Sequence, residues 1–148
     1  MKWLHGLIIT ALIVGANIIS ADDWSLDGRG FAIAGYDTVA YFTQQKAVKG
    51  TNEYQASWQG VQWLFNSKEH RDLFLASPEA YAPQFGGFCA NGLSDGHKVT
   101  ADPENWRIID NKLYLFFSKW GRLQWAINVP EQIQLATDYW NEWHQNNQ

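Results

Sequence analysis

Tyr54-Gln55-Ala56-Ser57-Trp58-Gln59-Gly60-Val61-Gln62-Trp63-Leu64-Phe65-Asn66-Ser67-Lys68 is the stretch whose reading decides the fold. Two runs rich in aromatic and β-branched residues flank Gln59-Gly60, and a glycine there supplies the positive φ of a tight hairpin turn. Ser67 is suited to cap a helix over Lys68 to Ala76, with Leu73, Phe74 and Ala76 inward and Lys68, Glu69 and Arg71 in water. Ser77-Pro78-Glu79 then offers a cap and a first-turn proline for another short helix.

The same grammar returns downstream. Trp106-Arg107-Ile108-Ile109, Asp110-Asn111 and Leu113-Tyr114-Leu115-Phe116 read as a second hairpin. Ser118 caps a helix through Ala126, and Pro130 opens a last helix in which Ile133, Ala136, Tyr139, Trp140 and Trp143 fall at helical spacing. Leu64-Phe65, Ser67-Lys68 and Arg71 recur 51 positions later as Leu115-Phe116, Ser118-Lys119 and Arg122, and Pro78-Glu79 recurs 52 later as Pro130-Glu131. Two readings remain open, an internal duplication or chance matches in an aromatic-rich chain. Upstream, Phe31 to Asp37 leads through Gly35 into Val39-Ala40-Tyr41-Phe42, read as a β-rich run. The expected fold is therefore α+β: a small antiparallel sheet built from hairpins with several short helices, organised as two related hairpin-plus-helix units.

Met1-Lys2 precedes an acid-free apolar stretch, Trp3 to Ile19, that His5, Thr10, Gly15 and Asn17 interrupt and that Asp22-Asp23 closes. This pattern predicts a secretory signal peptide over residues 1–21, cut after Ala21, and a single domain over 22–148 in the periplasm. With Lys2 removed, ten Lys and Arg face fifteen Asp and Glu, a charge of about −5 with no basic cluster, which argues against nucleic acid as a partner. No transmembrane span is expected after removal of the leader. Nine Trp, six Tyr and eight Phe make aromatics the main packing material, Tyr36, Tyr41 and Tyr81 among them.

Five segments carry a family resemblance. Gly35-Tyr36-Asp37-Thr38-Val39-Ala40-Tyr41-Phe42, Phe65 to Phe74, Pro78 to Ala90 with its Pro83-Gln84-Phe85-Gly86-Gly87-Phe88-Cys89-Ala90 end, Asp102 to Trp106, and Lys112-Leu113-Tyr114-Leu115 occur in an order that resembles the exported YHS-domain proteins of Gram-negative bacteria. The resemblance implies a small α+β domain outside the cytoplasm, and its wider group implies heavy-metal handling. The cysteines that metal-binding relatives place around the strand end and following helix are missing, since the matching stretch reads Phe65-Asn66-Ser67 and then His70-Arg71. Thr38 stands where a proline is common and Phe116 where an asparagine is common.

The site must then be argued from residues, and Cys89, the sole cysteine, comes first. In an oxidising compartment a lone thiol is buried, reactive or ligated. Gly86 and Gly87 remove bulk beside it, and a soft thiolate favours Cu(I) or Zn(II); the alternative is a buried structural thiol. His97, eight residues on, and His70, on the first helix, are the candidate partner ligands, each with a structural alternative as a solvated loop histidine and a hydrogen-bonded half-buried one. Asp37 is either a ligand carboxylate or a turn former, and His144 ranks below the other histidines. With no Cys-x-x-Cys and no His-x-x-x-His, two or three soft ligands drawn from Cys89, His97 and His70 suit copper better than a four-ligand zinc site. The leading expectation is a binding protein for a soft metal ion, copper first. A thiol-dependent enzyme using Cys89, and a metal-free module for a small ligand or a protein partner, are the alternatives.

Overall fold

Thr51–Trp58 (β1) and Val61–Phe65 (β2) pair antiparallel across Gln59 and Gly60, which take φ of 52° and 76°. Two consecutive positive φ values give the turn whose twist matches a two-residue hairpin. Asp102–Ile109 (β3) and Lys112–Phe116 (β4) form the second hairpin, with Asp110 and Asn111 at φ of 50° and 59°. The hairpins stay separate, so the chain has two two-stranded antiparallel sheets among helices, an α+β arrangement. The computed structural model describes residues 20–147, and the expected leader before Ser20 lies outside the described residues.

Each hairpin hands the chain to a capped helix. Ser67 Oγ accepts the His70 amide at 3.1 Å to start Lys68–Ala76 (α2), and Ser118 Oγ accepts the Gly121 amide at 3.2 Å to start Lys119–Trp125 (α5). A proline in the first turn opens the next helix in both places, Pro78–Tyr81 (α3) and Val129–Asn146 (α6). Both hairpins also slip register at the same point, between Thr51 and Gln55 in one and between Asp102 and Trp106 in the other, again 51 residues apart. The turn, the slip, the cap and the proline therefore all repeat, and the duplicate reading of the sequence extends to backbone geometry.

Three apolar clusters hold these units. Trp63, Phe65, Phe74, Val39 and Trp24 centre the first, with Trp58 packed on it; Tyr114, Phe116, Trp125, Ala90 and Cys89 centre the second. Ile33 and Tyr41 from the first half meet Leu113 and Leu115 from the second in a seam between them. Among the described residues no helix is long and apolar enough to cross a membrane.

The expected β-rich run over Phe31–Phe42 is corrected. Ile33–Gly35 is a 3-10 turn and Ala40–Thr43 is a short helix (α1), because a buried carboxylate overrides the local strand preference. Asp37, fully buried, accepts the Val39 and Ala40 amides through Oδ1 at 2.9 and 3.2 Å. Its Oδ2 accepts the Asn66 amide at 2.9 Å and faces His70 Nδ1 at 2.6 Å. One side chain thus ties α1 to the end of β2 and to α2. Asp37→Ala leaves three amides and an imidazole nitrogen without their acceptor, and we expect a loss of about 3 to 5 kcal/mol in urea unfolding. A loss under about 1 kcal/mol would show that the carboxylate does not hold these elements.

Candidate functional site

Cys89 stands in the second half where Asp37 stands in the first. The backbone leading to each is left-handed for three residues: Ile33, Ala34 and Gly35 at φ of 45°, 54° and 76°, then Phe85, Gly86 and Gly87 at 55°, 61° and 80°. The Asp37 amide donates to Val48 O at 2.7 Å, and the Cys89 amide donates to Val99 O at 2.9 Å. Ala40 N binds Asp37 Oδ1, and Gly92 N binds Cys89 Sγ at 3.3 Å. Asn66 N binds Asp37 Oδ2, and Phe117 N binds Cys89 Sγ at 3.1 Å. The sulfur therefore takes two backbone bonds in the positions where the first repeat has a carboxylate, and it heads a short helix, Ala90–Ser94 (α4).

The two repeats differ in what faces this acceptor. His70 fills the place in the first, with Nδ1 on Asp37 and Nε2 at 3.1 Å from Thr43 Oγ1. Its counterpart 51 residues on is Gly121, which has no side chain, and an open cleft of about 370 Å³ lies there instead. Cys89, Asn91, Gly92, Ser118, Gly121 and Gln124 line it together with the apolar Val99, Phe117 and Trp120. Asn91 Oδ1 is buried without a hydrogen-bond partner. Phe117 and Trp120 are 67 % and 81 % exposed, so a mainly apolar, sulfur-bearing recess is framed by aromatic rings in contact with water. Cys89 itself is only 3 % exposed, reached through this cleft.

Neither candidate histidine lines the cleft. Both ring nitrogens of His70 are engaged within the first repeat, on Asp37 and Thr43, and the residue is buried rather than half-buried. His97 is exposed on the loop after α4, its amide donating to Gly92 O at 2.8 Å. Its neighbour Lys98 turns the other way, with Nζ 3.3 Å from the Trp143 ring centre, 4.4 Å from that of Phe88, and bonded to Asp22 O at 2.8 Å. Burial pushes the Lys98 ammonium below its ordinary pKa. His144 is engaged as well, Nε2 on Asp23 Oδ1 at 2.8 Å and Nδ1 on Trp140 O at 2.8 Å. Among the described residues no group of three or more His, Cys, Asp or Glu is gathered as a metal site. Cys89 Sγ is the one sulfur on the cleft wall, and among the described residues the four ligands of a zinc centre are not gathered.

No family model matches the chain, and neither curated proteins nor solved structures supply a match.

Gly121 and Asn91 were missed as site residues in the sequence. The signal was present: at an offset of 52, Gly35-Tyr36-Asp37 lies over Gly87-Phe88-Cys89, which extends the repeat upstream to the thiol. The acceptor role of Sγ is testable by stability. Cys89→Ser keeps an acceptor for Gly92 and Phe117, whereas Cys89→Ala leaves both amides unpaired, so the alanine variant should be less stable than the serine variant by about 1 to 3 kcal/mol in chemical denaturation. Equal stabilities would mean that the two N–H groups do not depend on this atom.

Proposed function

We propose that this is an exported YHS-like binding protein, and that its ligand is a soft metal ion, Cu(I) in first place, taken up by Cys89 in the cleft beside Gly121. The observation that carries the reading is the exchange between repeats: the pair Asp37 and His70 becomes Cys89 and Gly121, so a saturated structural pair gives way to a buried soft donor on the wall of an open cleft. A thiolate selects soft ions, and low coordination is natural for Cu(I). The two amides on Sγ hold it as an acceptor, oriented before the ion arrives. With His70 committed to Asp37 and His97 outside the cleft lining, the second ligand comes from solution, an imidazole or thiol entering the open cleft.

In a competition assay with a chromogenic Cu(I) chelator, the protein should retain about one Cu(I) per chain when imidazole is supplied, and Cys89→Ser should lose it, by the thiolate preference of soft ions. Gly121→His restores the side chain that the first repeat carries. A Cβ at 121 would lie 3.5 Å from the nearest Asn91 atoms, an ordinary contact, so the variant can place its ring in the cleft. It should bind Cu(I) at least about tenfold more tightly and without added imidazole, since the second ligand is then intramolecular. Uptake by Cys89→Ser equal to that of the unaltered protein contradicts the proposal.

A further inference from the structure

The second repeat lost another partner besides the histidine. In the first, Arg71 Nε and Nη2 both reach Asp72 Oδ1 at 3.3 Å, and Lys68 Nζ reaches Asp72 Oδ2 at 2.7 Å. The positions 51 residues on are Arg122, Leu123 and Lys119, so the acid has become an apolar residue. Arg122 Nε is buried and has no hydrogen-bond partner. Arg122 and Arg107 line one open cleft of about 600 Å³ together with Gln45, Asn111, Trp106 and Tyr41. No Asp or Glu is among its walls, and among the described residues neither arginine forms an ion pair. Asp110, on the β3–β4 turn, is the acid next to Asn111 in sequence and lies outside the lining.

Two unpaired guanidinium groups in one recess are unusual in a chain of net charge −4. An arginine side chain presents donors in a planar fork that matches a carboxylate or phosphate group. A buried, unpaired donor is costly until an acceptor reaches it. Gln45 and Asn111 add amide groups for remaining oxygens, and Trp106, set edge-to-face on Tyr41 with ring centres 5.3 Å apart, offers a flat apolar wall. The geometry points to a binding site for a small organic oxyanion, a carboxylate or phosphate carried on a flat apolar group, with the charge on Arg107 and Arg122 and the ring against Trp106. This site is separate from the Cys89 cleft, whose walls share none of these residues.

The test is a titration of the ¹⁵N-labelled protein with phenyl phosphate and with benzoate at low ionic strength, following the Arg122 Nε–H resonance. Benzyltrimethylammonium serves as the control of opposite charge. A saturable shift with at least one aryl anion is expected, and the stronger of the two identifies the charged group. Arg107→Gln, at an exposed position, should weaken binding about tenfold or more, by the strength of a charge-assisted hydrogen bond. Cys89→Ser should bind the anion unchanged, which separates this site from the copper proposal. Absence of a saturable shift, a shift that survives Arg107→Gln, or an equal response to the cation overturns the inference.

Discussion

One buried hydrogen-bond acceptor at the head of each repeat organises the molecule. It collects an amide from the helix it begins and an amide from the residue that leaves the hairpin, so three elements distant in sequence meet at one side chain. Without that acceptor, N–H groups that are buried beside Asp37 and part-buried beside Cys89 would lose their partner, at a cost of up to about 1 to 3 kcal/mol for a buried one. The left-handed backbone before it, at Ile33 to Gly35 and again at Phe85 to Gly87, aims the chain so that the acceptor enters the interior. Aromatic packing then closes around it, with Phe65 and Phe74 on one side of the molecule and Phe116 and Trp125 on the other.

The repeats solve the same backbone problem with different chemistry. In the first, a carboxylate and an imidazole saturate each other and Thr43 takes the remaining ring nitrogen, leaving a closed structural network. In the second, sulfur accepts the backbone bonds and nothing occupies the place of the imidazole. Loss of the acid at Leu123 has a parallel effect on the adjacent residue, leaving Arg122 with a buried nitrogen and no partner. Both departures fall on α5, at Gly121 and Leu123, and Gly121 and Arg122 each line an open cleft. Where one of two similar units is saturated, the stability it supplies can offset what an open cleft in the other gives up.

Much of this architecture was legible in the sequence. Gln59-Gly60 and Asp110-Asn111 announced both turns, Ser67 and Ser118 announced both caps, and Pro78 and Pro130 the helices after them, because turns and caps depend on local chemistry. Val39 to Phe42 misled, since their strand-like composition competes with a capping carboxylate whose other partners, Asn66 and His70, lie far along the chain. The same distance hid the role of His70, and α4 escaped notice because Gly92 and Asn91 are poor helix formers held by Cys89 Sγ. Cys89 was identifiable as the residue of interest, but its environment was not. Gly121 carries no chemistry of its own and gains meaning only when set against His70.

The central claim is that the sulfur of Cys89, in its frame of two backbone amides, is the point at which a soft ion enters this fold. The most direct measurement is the amide spectrum of the ¹⁵N-labelled protein during Cu(I) addition with imidazole present. The account predicts that the Gly92 and Phe117 amides move together and reach saturation at about one ion per chain, by the single thiolate available, while Ala40 and Asn66, their counterparts on Asp37, stay in place. Copper uptake that leaves Gly92 and Phe117 unmoved, or that shifts both repeats alike, would contradict it.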